Sequence, residues 1–210
     1  MNQRLDLTDP ALTFYEEKAR SAGYQHVAGI DEAGRGPLAG PVVAACCSIP
    51  PDVIFEGIDD SKKLTSDERS DFYKQILSQP GVIYGIGIVE SFLIDKINIL
   101  QATLKAMQIA IAHMPLQPDY VLIDGNKLPS LSIPAQALIG GDALSQSIMA
   151  AAILAKYTRD QIMIKAHRLF PSYGFDRHKG YGTPEHLAAL QKGPCVIHRF
   201  SFARVKNPVI

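Results

Sequence analysis

Apolar positions along the chain fall into two regimes. Short, nearly continuous apolar runs predict five strands, at 26–30, 42–49, 82–89, 120–123 and 136–139, and Pro50-Pro51 ends the second. Between them the spacing turns helical. Phe72, Tyr73, Ile76 and Leu77 share one face of a helix over Ser66–Ser78. Leu93, Ile97, Leu100, Leu104, Met107 and Ile111 recur every three or four residues and predict one long amphipathic helix. From Ala143 to about Leu169 the chain is Ala-rich and free of glycine, which predicts a second long helix. Residues 9–20 read as a short leading helix, with Asp9 as N-cap and Pro10 at its first position.

This order predicts an α/β fold. The first three strands form an antiparallel meander, the fourth and fifth extend it, and helices cover the faces of a mixed five-stranded sheet. After Pro171 the composition shifts to Gly, His, basic and aromatic residues. The expected organisation is a catalytic core over 1–170 and a small helical segment over 171–210 packed against it.

Composition narrows the class. The 210 residues are 47% hydrophobic, enough for a real core. No apolar run reaches the ~20 residues that span a bilayer, and nothing near Met1 resembles a signal peptide. A cytoplasmic protein without a membrane partner is expected. Cys46, Cys47 and Cys195 are odd in number and form no C-x-x-C pair, so buried, reduced thiols are expected. Cys46 and Cys47 should point to opposite faces of their strand. The net charge is zero but uneven. Residues 151–210 hold 10 Lys/Arg against 3 Asp/Glu, an excess of +7, which the other residues offset. Such a basic end suits a polyanion, and a solvated basic surface gives the same count.

Three acidic sites share one context. Asp31-Glu32 ends the first strand, Asp124 ends the fourth, and Asp142 precedes the long Ala-rich helix, each with glycine close by. Singly, each has a plain reading: a strand cap, an Asp-Gly turn, a helix N-cap. Converging, they would repel one another, and a bound cation relieves that repulsion. Oxygen-only ligands suit Mg²⁺ or Mn²⁺. Two such ions about 3.5–4 Å apart can hold an attacking water and a leaving oxygen in line. Adjacent residues on a regular strand face opposite ways, so Asp31 and Glu32 share a site only if the chain bends there.

Gly29-Ile-Asp-Glu-Ala-Gly-Arg-Gly-Pro-Leu-Ala-Gly-Pro41 resembles ribonuclease HII. The likeness recurs at Asp60-Ser-Lys-Lys-Leu64, 97–103, 123–126, 141–143, 152–156 and Tyr173–Thr183, and it ends near Gly193-Pro-Cys195 and Ile197-His-Arg199. The resemblance implies an RNase H-like fold. It implies cleavage of RNA in RNA–DNA hybrids, and cleavage 5′ to single ribonucleotides embedded in duplex DNA, leaving 3′-hydroxyl and 5′-phosphate ends. Its four metal ligands map onto Asp31, Glu32, Asp124 and Asp142, its reader of the ribose 2′-hydroxyl onto Gly34, Arg35 and Gly36, and its sugar-stacking tyrosine onto Tyr181. Lys62, Lys63, Arg177 and Lys179 are expected at phosphates, which position rather than specify. Tyr157, Val196 and Phe200 depart from the family pattern. The tail 205–210 lacks a clamp-binding ending, so no sliding-clamp partner is expected, and a monomer is.

Other readings are weaker. Ribonuclease HIII or a junction resolvase would share the fold, but Gly-Arg-Gly-Pro after Asp31-Glu32 favours the HII type. A non-catalytic binding module would not need four acids near phosphates. A dinucleotide site fails because Gly34-x-Gly36-x-x-x-Gly40 has the wrong spacing and leads into a strand.

Overall fold

The computed structural model describes residues 10–55 and 64–206. Five strands form one sheet: β1 (Val27–Ala33), β2 (Val42–Ser48), β3 (Ile83–Val89), β4 (Tyr120–Asp124) and β5 (Ala135–Leu138), in the order β3-β2-β1-β4-β5. β1, β2 and β3 are the antiparallel meander expected. β4 runs parallel to β1, and β5 parallel to β4. This is an RNase H-like mixed sheet flanked by helices.

Two helices cover its faces. α4 (Gln146–Leu169) lies on the face that presents Val43, Ala45 and Cys47, and its Met149, Ile153 and Leu154 fill the core there. α3 (Ser91–Ala112) covers the opposite face, packing Ala102, Ala106 and Ala110 on Ala28, Ile30, Ala44 and Cys46. Cys46 and Cys47 thus point into opposite cores, as the pleat requires. Small residues let the layers close. A Cβ on Gly29 would stand 2.2 Å from the Ile148 amide nitrogen, and one on Gly87 would stand 1.9 Å from the Ala106 carbonyl oxygen. Each fully buried isoleucine, such as Ile30 or Ile148, contributes about 1.5–3 kcal/mol by leaving water.

Boundaries moved where capping chemistry competes with periodicity. The leading segment is a 3-10 turn over Pro10–Thr13 followed by α1 (Phe14–Ser21), and Asp9 lies outside the described residues. α2 (Ser66–Ser78) has its expected bounds, fixed by a capping box between Thr65 and Glu68. The long helix α3 is broken at Asn98 (φ 66°, ψ 164°), whose side chain accepts from the Gln101 amide at 3.1 Å and caps the second half. α4 begins later than its apolar pattern does. Asp142 sits on a 3-10 turn (Gly141–Ala143), and Ser145 is the cap, accepting from the Ile148 amide. Glu16, buried on α1, reaches this end of α4 and accepts from the Ser147 amide at 3.0 Å and from the Ser145 and Ser147 hydroxyls. A carboxylate suits a helix N-terminus.

Beyond α4 the described residues form a 3-10 turn (Pro171–Tyr173) and three short α-helices: α5 (Phe175–His178), α6 (Pro184–Leu190) and α7 (Ala203–Lys206). Residues 38–40 bind this part of the chain through the Leu38 amide to the Gly180 carbonyl, the Gly40 amide to the Ile197 carbonyl, and an Ala39–His198 bridge. Among the described residues no helix is long and apolar enough to cross a membrane.

Candidate active site

β1 runs three residues past its expected end, so Asp31 and Glu32 lie within the strand and pair with Ala45 and Ala44. The bend comes only at Gly34, whose φ of 99° an L side chain rarely adopts. Alternation therefore holds. Asp31 shares the α4 face with Ala45, and Glu32 shares the α3 face with Ala44. β1 and β4 are parallel, with Ile30 opposite Ile123. One residue further on, Asp31 follows beside Asp124, the last residue of β4, near the edge of the sheet where α/β folds present ligand sites.

Asp124 accepts a 2.7 Å hydrogen bond from the Gly141 amide, which brings the turn carrying Asp142 to the same strand end. Asp31 is only 6% exposed. Burial, then the charges of Glu32 and Asp124, push its carboxyl well above the usual carboxylate range; the Glu32 amide opposes this, and Asp142 adds to it. The Asp31 Oδ1–Glu32 amide contact is 2.6 Å. Among the described residues no group of three or more His, Cys, Asp or Glu side chains is arranged closely enough to hold a metal ion. The donor set nonetheless fits a hard divalent cation. Glu32, Asp124 and Asp142 each make the charge on buried Asp31 more costly, and a cation would relieve that repulsion.

The loop after β1 carries Gly34, Arg35 and Gly36. Arg35 is exposed and its guanidinium lies 3.2 Å from Glu32 Oε1. Gly36 is exposed, and a Cβ there would stand 3.8 Å from Tyr181 Cε1, so the loop and the tyrosine are neighbours. The Tyr181 ring is 44% exposed, with the Lys156 ammonium 5.9 Å and the Arg159 guanidinium 6.0 Å from its centroid. Lys156 also binds Asp160 at 2.7 Å. Lys179 donates to the Asp176 carbonyl, and Arg177 is exposed and paired with Glu185. Lys62 and Lys63 lie outside the described residues.

Sequence reasoning missed the supports beneath these loops. Arg159 and Arg199 are both fully buried and donate to carbonyls of residues 34–41. Two of the ten cations of the basic end are therefore interior, and the surface available to phosphates is smaller than the charge count suggested. A histidine pair was missed as well. His186 Nδ1 meets the Tyr181 carbonyl at 2.9 Å, and its Nε2 lies 3.0 Å from His198 Nε2. The only advance signal was an arginine within an Ala-rich helix and several histidines near a Gly-rich stretch. Among the departures, Tyr157 stacks on Tyr73 with ring centroids 3.9 Å apart, and Val196 and Phe200 are exposed.

A family model described as Ribonuclease HII matches residues 28–205. A curated Ribonuclease HII of Chlamydia abortus is 52% identical over 196 residues, spanning 93% of this chain and 92% of that one. Among solved structures, the ribonuclease H2 of Pyrococcus horikoshii OT3 superposes with a TM-score of 0.73 at 24% identity, covering 88% of this chain and 97% of that one. Bst-RNase HIII in complex with Mn²⁺ superposes with a TM-score of 0.63 at 15% identity, over 90% of this chain and 71% of that one. The two superpositions carry the fold, whereas the family match and the curated relative run through the acidic strand ends and both loops. On that ground the chain belongs to the ribonuclease HII family, the metal-dependent type 2 ribonucleases H that hydrolyse RNA in RNA–DNA hybrids.

Proposed function

We propose that this enzyme also cuts on the 5′ side of a single ribonucleotide embedded in duplex DNA, with Asp31, Glu32, Asp124 and Asp142 holding two divalent cations, Mg²⁺ or Mn²⁺. The observation that carries the reading is the placement of acid and loop on one strand. Asp31 stands beside the end of β4, and the Gly34–Gly36 loop begins three residues later, against Tyr181.

Water attacks phosphorus, the bond to the 3′-oxygen breaks, and the leaving oxygen takes a proton, so the products are a 3′-hydroxyl and a 5′-phosphate. Bound divalent cations supply the positive charge that such a displacement needs at the attacking and leaving oxygens. Glu32, which points to the other face of β1, has to act from the strand's end. The backbone of Gly34, Arg35 and Gly36 meets the ribose 2′-hydroxyl, the group that distinguishes RNA from DNA at a site. Tyr181 packs on the neighbouring sugar. Lys179, and Arg177 once released from Glu185, take phosphates, as do Lys62 and Lys63. Residues 171–210 act as a docking segment on a 1–170 core.

The test is a DNA duplex with one ribonucleotide, incubated with Mg²⁺, Mn²⁺ or EDTA and followed by end-group analysis. One cut 5′ to the ribonucleotide, absent in EDTA, is expected. Cleavage confined to continuous hybrids would overturn the reading.

A further inference from the structure

Arg159 on α4 and Arg199 in the C-terminal segment meet under the loop that follows β1. Arg199 Nη2 donates to the Gly34 carbonyl at 2.5 Å and to the Pro41 carbonyl at 3.1 Å, Nη1 to Arg35 at 3.0 Å, and Nε to Gly40 at 3.0 Å. Arg159 donates through Nε to Pro41 at 3.0 Å, through Nη2 to Ala39 at 3.1 Å, and through Nη1 to the Lys179 carbonyl at 3.0 Å. Every one of these acceptors is a backbone carbonyl. Two buried cations are thus spent on holding a loop, which is costly unless each donor is satisfied.

The consequence lies in the peptide planes. In a trans peptide the carbonyl and the N–H of the next residue point in opposite directions, and no cis bond is present among the described residues. With the Gly34 and Arg35 carbonyls turned inward to Arg199, the Arg35 and Gly36 N–H groups are turned away from it, on the exposed stretch beside Tyr181. A cation on a carbonyl also polarises the N–H of the same peptide and strengthens it as a donor. Arg159 ties this loop to the one carrying Tyr181, because it binds both the Ala39 and Lys179 carbonyls.

We propose that Arg199, with Arg159, is a positioning residue for ribonucleotide recognition: the buried guanidinium pair holds the loop's carbonyls inward, so that the Arg35 and Gly36 amides face the ribose. The proposal rests on the reading that this loop meets the 2′-hydroxyl. Lysine could keep the charge but not the fork that spans four carbonyls, so Arg199→Lys should resemble Arg199→Met rather than wild type.

The test is equilibrium binding in Ca²⁺ of a duplex with one ribonucleotide against the same duplex wholly deoxy. Melting with and without Ca²⁺ is run beside it, to check fold and acidic site. In both Arg199 variants the preference for the ribonucleotide should fall by about tenfold, the loss expected for one or two weakened hydrogen bonds. Binding of the deoxy duplex and the Ca²⁺-induced stabilisation should stay as in wild type. A folded variant with the wild-type preference, or full rescue by lysine, would overturn the proposal. A wild-type enzyme with no preference would instead sink the reading of the loop itself. Should both variants fail to fold, ¹⁵N spectra of the wild-type Arg199 side chain decide. Its N–H signals should shift with the ribonucleotide duplex and not with the deoxy one, and equal response to both would overturn the proposal.

Discussion

The Gly141 amide donates to Asp124 Oδ1 at 2.7 Å, across 17 residues of sequence, and this one contact couples the acid at the end of β4 to the turn that presents Asp142. The fit there is close. A Cβ on Gly141 would stand 2.7 Å from Ile148 Cδ1, 3.2 Å from Leu138 Cβ and 3.4 Å from Asp124 Oδ1. Gly141→Ala should therefore cost about 1–3 kcal/mol by overpacking. It should lower kcat by about tenfold or more, because small displacements of reacting groups are expensive. Melting curves and steady-state kinetics check both effects, and unchanged kcat would show that the two acids are not coupled through this contact.

Asp31 carries a cost that a cation removes. Its carboxyl is pushed up by burial and by three acidic neighbours, so at neutral pH its charge destabilises the metal-free fold. Asp31→Asn keeps an acceptor for the Glu32 amide and drops the charge. In EDTA it should be more stable than wild type and melt at a higher temperature. The gain should shrink as pH falls and vanish only below the ordinary aspartate value of about 3.9, where the wild-type carboxyl is neutral in both states. Mg²⁺ should stabilise wild type and leave the variant unmoved. Calorimetric melts in EDTA and in Mg²⁺ measure both, and a destabilised variant would contradict this account of the site.

Acid should loosen the loop that carries Tyr181. His186 donates through Nδ1 to the Tyr181 carbonyl, so its Nε2 accepts from His198 Nε2, and His198 Nδ1 accepts from the Cys195 amide. A second proton on His186 would set one N–H against another. Burial holds His186 below its ordinary value and pushes His198 from 6.5 down to about 4. The unfolded chain takes the proton first. Stability from this pair is therefore complete above about pH 6.5 and is lost as pH falls through about 4. Melting from pH 8 to pH 4 should show that decline, and His198→Gln, which cannot titrate, should flatten it.

Tyr181→Ala should lower kcat by roughly 100-fold while Kd changes little, because packing on the sugar positions the scissile phosphate and phosphate contacts elsewhere set affinity. Tyr181→Phe keeps the ring and should stay near wild type. Single-turnover cleavage and binding in Ca²⁺ separate the two quantities. Equal damage in Phe and Ala would assign the role to the hydroxyl instead.

Much of this was legible in local pattern. The strands, the bounds of α2 and the opposed Cys46 and Cys47 follow from period and capping, which neighbouring residues set. The acids stood out because aspartate at the end of an apolar strand is a local signal. What escaped was long-range or decided by competing caps. The apolar repeat runs through Asn98 unbroken, yet its side chain caps a new helical segment. Ser145, not Asp142, takes the cap of α4. Arg159 and Arg199 are charged residues whose burial depends on carbonyls some 120 and 160 residues away, a partnership that no window of sequence displays.

The most direct test of the central claim is Asp124→Asn on a duplex with one ribonucleotide in saturating Mg²⁺. Asparagine preserves the acceptor for Gly141 and removes only the charge. The account predicts wild-type melting within a few degrees and a cleavage rate lower by at least about 100-fold, the scale of losing charge stabilisation in the transition state. A folded variant that cleaves at near the wild-type rate would contradict it.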